Sequence, residues 1–280
     1  MHKWAFVNED FVLEENARLQ FRDLAIQRGY GVFDFFKLIE NIPVFLDQHL
    51  RRFFYSAAEM HLPVHKSAEE LTTIIYELIE KNNLPQSGVR ITLTGGYSQD
   101  GYQLAKPNLI ISQHIFPLPG KEQFQKGIKL VTYKHQRQLA HIKTIDYLIA
   151  IWLQPFIRQQ AADDVLYYND NSITECPRSN VFIVTNDDTI VTPKDNILQG
   201  ITRKRLLEIA ARSFKVEERN ISLEEVRRAR EVFIASTTKN ILPVCSVDAN
   251  MIGNGAAGYI TKTLSEFLQT HHQHAIPQCK

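Results

Sequence analysis

The sequence predicts a mixed α/β protein of two domains, a smaller N-terminal one and a larger C-terminal one. Three observations lead there. The chain has 280 residues, against about 100–200 for an ordinary domain. Short apolar runs that read as strands are interleaved with segments of helical period in both halves. A break containing Pro117, Pro119 and Gly120 interrupts the pattern, because two prolines stiffen the chain and remove donors from any sheet. The reading divides the chain into residues 1–116, a linker at 117–126 and residues 127–280.

Taken in order, Trp4-Ala5-Phe6-Val7 and Phe11-Val12-Leu13 flank polar Asn8-Glu9-Asp10 as a hairpin. A second hairpin joins the aromatic-rich run 31–39 to Ile42-Pro43-Val44-Phe45 through Glu40-Asn41. Asp47 is placed to cap a helix over 49–60, which Leu62-Pro63 ends. Ser67 and Glu70 form a capping box for a helix reaching about Asn82. Its Leu71, Ile74, Ile75, Leu78 and Ile79 share one face. Strands follow at 89–94 and 109–116, then, past the linker, at 128–133. A helix is expected over 146–161 and strands at 165–168, 181–185 and 189–192. Helices are expected after Gly200 and Ser222, a strand at 232–235, and a final helix over 256–269.

Composition narrows the function. The apolar fraction is 44% and the charged fraction 22%, as in a soluble globular protein. Lys+Arg of 32 against Asp+Glu of 31 leaves a net charge of +1, without the basic excess of a nucleic-acid binder. Cys176, Cys245 and Cys279 form neither a disulfide framework nor a Cys-x-x-Cys metal site. His271, His272 and His274 sit in a polar tail and are read as a solvated terminus, so no metal is expected. The N-terminus has no apolar core of a signal peptide, and the longest apolar run, 147–153, is too short for a bilayer. The expectation is a cytoplasmic protein without a membrane or nucleic-acid partner.

Four segments carry chemistry. Leu198-Gln199-Gly200-Ile201-Thr202-Arg203 precedes an amphipathic helix (Leu206, Leu207, Ile209, Ala210), so the amides of Ile201 and Thr202 form an anion site with a hydroxyl beside them. An ordinary capped helix would read the same way. Phe233-Ile234-Ala235 runs into Ser236-Thr237-Thr238, three hydroxyls that either cap their own turn or serve a phosphate. Lys143 stands before the most apolar helix; a desolvated lysine there forms Schiff bases, although most such lysines snorkel. Glu175 lies just before the buried run Val181-Phe182 and is otherwise a surface carboxylate.

In this order and spacing the segments resemble the class IV, or fold-type IV, aminotransferases. That group includes branched-chain and D-amino-acid aminotransferases and aminodeoxychorismate lyase. Gly31-Val32-Phe33-Asp34 and Asp47-Gln48-His49-Leu50-Arg51-Arg52 strengthen the likeness, which covers nearly the whole chain. The resemblance implies a two-domain fold-type IV enzyme that uses pyridoxal phosphate. It implies that Lys143 binds the cofactor covalently and moves a proton at the substrate, and that Glu175 faces the pyridine nitrogen. It implies further that Arg52, Ile201, Thr202, Ser236 and Thr237 hold the phosphate, with Tyr147 near the phenolic oxygen. The reaction implied is transamination between an amino acid and its 2-oxo acid, branched-chain-like or D-amino-acid-like. The alternative is a lyase releasing pyruvate from aminodeoxychorismate. A homodimer is also implied, since the family completes each site with a loop from a neighbouring subunit.

The substrate side departs from each subgroup. Asp100 and Tyr102 stand where D-amino-acid enzymes carry an arginine and a histidine, and Asp100 stands where the lyase has arginine. Arg90 and Thr238 resemble branched-chain positions, but Arg28 replaces the usual tyrosine and Asp34-Phe35 the usual Glu-Gly. The expected substrate set is Arg28, Phe33, Arg90, Asp100, Tyr102 and Thr238.

Overall fold

In the computed structural model, which describes residues 3–274 and their side chains as far as His271, the chain forms two compact units. Cys279 lies outside the described residues, as do Met1, His2 and the side chains of His272 and His274. One unit holds residues 3–116 together with Ile142–Asp146; the other holds Pro117–His141 and Tyr147–His274.

The smaller unit is built on an antiparallel sheet of six strands: β1 (Trp4–Val7), β2 (Asp10–Leu13), β3 (Gly31–Ile39), β4 (Ile42–Pro43), β5 (Gly88–Thr94) and β6 (Leu109–His114). Their order is β2-β1-β6-β5-β3-β4. The expected second hairpin forms because Glu40 and Asn41 both take positive φ, 53° and 65°, as a two-residue turn that matches strand twist requires. A short helix not foreseen in the sequence, α1 (Leu24–Arg28), is capped by the Asp23 side chain. The next two helices, α2 (Leu46–Glu59) and α3 (Ala68–Asn82), cover one face of the sheet. Phe53, Leu71, Ile75 and Leu78 pack there on Phe36, Val89, Ile91 and Ile111. The capping box at Ser67 and Glu70 is present, which satisfies two of the amides a helix start leaves open. At α2 the N-cap is Phe45 in the left-handed region, φ 58°, and Asp47 lies inside the first turn instead of capping it.

The larger unit contains α4 (Lys121–Lys126), β7 (Ile128–Lys134), α5 (Leu148–Trp152), α6 (Gln154–Gln159), β8 (Asp164–Asn169), β9 (Ser172–Ile173), β10 (Glu175–Cys176), β11 (Ser179–Val184) and β12 (Ile190–Thr192). It continues with α7 (Ile201–Ala210), β13 (Val216–Glu218), α8 (Leu223–Arg228), β14 (Glu231–Ser236), β15 (Asn240–Val247), β16 (Asn250–Met251) and α9 (Tyr259–His274). The main path of its ten-stranded sheet runs β13-β12-β11-β14-β15-β7-β8-β9, with β10 on β11 and β16 on β15. The central strands are buried on both faces. On one face Val181, Ile183, Val232 and Ile234 pack with Ile221 and Val226; on the other Phe182, Val184, Phe233 and Ala235 pack with Leu206, Ile209, Ile260 and Leu264. The start of α9 is tied to β14 because buried Glu231 accepts from the amides of Ile260 and Thr261. A carboxylate at a helix start is favourable there.

Three differences from the sequence reading have local causes. The single helix expected over 146–161 is two helices meeting at Leu153, because Pro155 has no N–H and its ring disfavours a continuous turn. The expected linker contains α4. Strand β15 was not foreseen; it contains Pro243, a residue unusual in a central strand, and its partner β7 joins only from Val244 onward. Among the described residues no helix is long and apolar enough to cross a membrane.

One buried charge stands out in the smaller sheet. Lys37 on β3 is only 5% exposed, and burial pushes its ammonium down to about 8. The unfolded chain therefore binds more protons than the folded one between that value and the ordinary lysine range, so stability rises with pH across that window. Measured as thermal midpoints from pH 8 to 10, wild type should gain on Lys37→Met as pH rises, by up to the order of 3 kcal/mol.

Candidate active site

Lys143 belongs to the smaller unit, although it follows residues 117–141 in the chain. Its segment lies beside the start of β3: Phe33 N donates to Lys143 O at 3.0 Å, Ile145 N donates to Gly31 O at 3.0 Å, and Val32 bridges Thr144. Lys143 N donates to Ser56 Oγ of α2 at 3.2 Å, and Ile142 is buried in the core under the sheet. These ties fix the backbone and leave the side chain half-buried over an aromatic face. Lys143 Nζ stands 4.5 Å from the centre of the Phe33 ring, and the Arg90 guanidinium stands 4.0 Å from the same ring. Cations are attracted to such faces.

Next to this lysine is a charge cluster joining β3 and α2. Asp34 is fully buried. Its Oδ2 accepts from Arg52 Nε at 2.8 Å, and its Oδ1 accepts from Arg52 Nη2 at 2.9 Å, from Phe35 N at 2.7 Å and from His49 Nδ1 at 2.6 Å. Burial opposes the charge on Asp34, but Arg52 and His49 outweigh it and hold the carboxyl far below the ordinary carboxylate range. His49, itself buried, is pushed down by desolvation; Asp34 pulls it up, and Arg52 and Lys143 push it down further. The neutral imidazole donates its Nδ1–H to Asp34. Arg52 thus spends Nε and Nη2 on Asp34, and Nη1 takes no part in that fork.

In the larger unit Glu175 is 5% exposed at the start of the β10–β11 hairpin. Arg137 Nε donates to its Oε1 at 3.0 Å and Leu198 N donates to its Oε2 at 3.0 Å. Both oxygens accept, which is the bonding of a carboxylate anion. Arg137 is held in turn by Nη2 donating to Ala140 O at 2.6 Å. Leu198 belongs to the turn leading into α7, and Asn180 Nδ2 donates to its carbonyl at 2.8 Å. Gly200 is the N-cap of α7 and offers no side chain to the helix amides. A Cβ there would fall 2.1 Å from Asn180 Oδ1, so any larger residue would displace the Asn180 amide that holds the Leu198 carbonyl. The first amides of this ten-residue helix, those of Ile201 and Thr202, therefore carry no side-chain cap. Arg203, 2% exposed, staples the turn by donating to Gln199 Oε1, Pro193 O and Glu218 Oε2. Between β14 and β15, residues Thr237 and Thr238 form a half-buried turn after Ser236. These groups suit a phosphate ester on an aromatic ring: uncapped amides, clustered hydroxyls and a paired buried carboxylate.

The substrate-side residues are scattered more widely. Phe33 is buried and Arg90 half-buried on neighbouring strands. Arg28 ends α1, exposed, with Nη1 donating to Gln27 O. The carboxylate of Asp100 is turned into its own loop, where Oδ1 accepts from Ser98 Oγ and from the amides of Tyr102 and Gln103. Those bonds lower its carboxyl below the ordinary value. Tyr102 is 86% exposed. Tyr147 is the N-cap residue of α5. Sequence reasoning missed Asp34 and His49 as partners of Arg52, and Arg137, Asn180 and Arg203 as supports of Glu175 and the α7 turn. The spacing His49-x-x-Arg52, one helical turn, was the available signal for the first group.

The family model for amino-transferase class IV matches residues 31–247. The chain belongs to the class IV aminotransferases. Members of the family are pyridoxal-phosphate enzymes, and the chain is a transaminase of that kind. A D-alanine aminotransferase of Bacillus licheniformis is 31% identical over 253 residues, 88% of this chain and 89% of its own length. The branched-chain amino acid aminotransferase of Escherichia coli superposes with a TM-score of 0.91 at 24% identity, covering 100% of this chain and 97% of its own; it carries the fold. A Legionella pneumophila structure named as a candidate 4-amino-4-deoxychorismate lyase gives 0.84 at 25% identity, covering 92% of this chain and 97% of its own.

Within this class IV chain the Asp34 cluster has a pH signature. The folded carboxyl lies far below its unfolded value, so the pairing contributes in full above the ordinary aspartate value near pH 4 and is lost progressively as pH falls from there toward the folded value. Asp34→Asn should lower stability at pH 7 by about 3 kcal/mol, since it leaves Arg52 uncompensated. Denaturant unfolding should show the difference shrinking below about pH 4.

Proposed function

We propose that this protein transfers the amino group of a D-amino acid to a 2-oxo acid, with Lys143 holding pyridoxal phosphate. The observation that carries the reading is the ring of Phe33, which seats both Lys143 Nζ and the Arg90 guanidinium. A group able to hold the cofactor and a group able to hold a carboxylate thus share one platform. The identity to D-alanine aminotransferases supports the D-configured substrate.

When bound, the cofactor supplies an electron sink for the pair released at the substrate's Cα. The residues do the rest. Lys143 Nζ would hold the cofactor's aldehyde carbon and, as a free amine, would carry the proton at the substrate's Cα. Glu175 is assigned to the pyridine nitrogen, where an anion favours the protonated ring; Arg137 and Leu198 N keep it in place. Arg52 Nη1, the amides of Ile201 and Thr202, and the hydroxyls of Thr202, Ser236 and Thr237 are assigned to the phosphate. Tyr147 is assigned to the phenolic oxygen. Arg90 receives the substrate carboxylate, with Phe33 and Thr238 around it. Arg28, at the exposed end of α1, and Asp100 and Tyr102, on an exposed loop, are assigned to the site of a neighbouring copy in a homodimer, and the cytoplasm is the proposed compartment.

Borohydride reduction of the loaded enzyme should label Lys143, and Lys143→Ala should lose the label and at least about 10²–10⁴-fold in turnover. Retention of full turnover would sink the assignment. Glu175→Gln should lower kcat by about 10²-fold with the cofactor still bound, read by absorbance and steady-state kinetics. A panel of D- and L-amino acids should yield the pyridoxamine form from D-donors. Consumption of aminodeoxychorismate without that form would instead favour the lyase.

A further inference from the structure

Lys239 ends the hydroxyl-bearing turn between β14 and β15, and none of the roles above uses it. Its side chain is 17% exposed, yet it is long enough to reach solvent. Instead Nζ donates to Asp164 Oδ2 at 2.8 Å and to Ser179 Oγ at 3.3 Å. Asp164, at the start of β8, is itself 11% exposed and uses Oδ1 to accept from Val165 N. Ser179 opens β11 and pairs with Cys176 in the β10–β11 hairpin. The turn is closed at its base by Lys239 N donating to Ser236 Oγ at 3.3 Å and by Asn240 in the left-handed region, φ 53°. One lysine therefore ties the Ser236–Thr238 turn to two other strand ends. A buried ion pair gains little stability over apolar neighbours of the same volume, so its value lies in what it orients.

We propose that Lys239 is a positioning residue for phosphate recognition: through Asp164 and Ser179 it holds the turn so that the hydroxyls of Ser236 and Thr237 meet the anion. This rests on the reading that the turn takes the cofactor phosphate. Glu175 has its own anchors in Arg137 and Leu198, so the ring contact does not depend on Lys239.

The test titrates the full-length, cofactor-stripped chain with pyridoxal phosphate, pyridoxal and inorganic phosphate, alongside thermal midpoints. Lys239→Met should weaken pyridoxal phosphate and phosphate by about tenfold or more and pyridoxal by less than about twofold. It should also lower the midpoint, because Asp164 loses its partner. The double variant Lys239→Met/Asp164→Asn, which leaves no unpaired charge, should recover the midpoint to within about 2 °C and remain weak for phosphate. It carries the test if the single variant does not fold. Three results overturn the proposal: phosphate affinity within about twofold of wild type, equal loss of pyridoxal, or a double variant that regains midpoint and affinity together. Wild type is read first; if it binds pyridoxal phosphate no better than pyridoxal, the phosphate reading itself fails and this proposal with it.

Discussion

The chemistry of the smaller unit depends on keeping a negative charge on Asp34 where water does not reach it. A lone carboxylate in such a place is untenable, and the protein answers with a two-pronged guanidinium, an imidazole N–H and a main-chain amide. Each partner is constrained in return. Arg52 is held planar against Asp34 with a single nitrogen outside the fork. His49 is kept neutral by burial and by the cations around it. Strand β3 and helix α2 are thereby locked in register around the side chains that flank Lys143.

The larger unit solves a similar problem with main chain. Glu175 is also buried, but one of its two bonds comes from the Leu198 amide, and the carbonyl of that residue is held by Asn180. The same turn ends at Gly200, whose missing side chain lets Asn180 approach. A carboxylate position and a helix start with uncapped amides are thus set by one short segment, and Arg203 fastens that segment from behind. Rigidity of this kind is what a site needs when its work is electrostatic, because dipoles that are already oriented cost no reorganisation during reaction.

Much of this was legible in the chain. Local rules placed the Glu40-Asn41 turn, the Ser67 capping box and the glycine before α7, because each depends on a few adjacent residues. The order of Arg52, Lys143, Glu175, Thr202 and Thr237 pointed to the family. What escaped were pairings between distant residues. Arg137 and Glu175 are 38 positions apart, and neither lies in a periodic pattern that marks the other. Strand β15 also escaped; it tolerates Pro243 because pairing with β7 begins beyond it.

By itself, the sequence determined which chemical groups the protein owns and the local turns that present them: a lysine after a break, a carboxylate before a buried strand, amides at a glycine-led helix. Only the tertiary structure decided which of those groups are already spent. Two nitrogens of Arg52 belong to Asp34, the carboxylate of Asp100 closes its own loop, and the ammonium of Lys239 is turned inward. The reason is physical. A polar group's availability depends on its desolvation and on the partner that burial forces upon it, and both are set by residues far away in the chain.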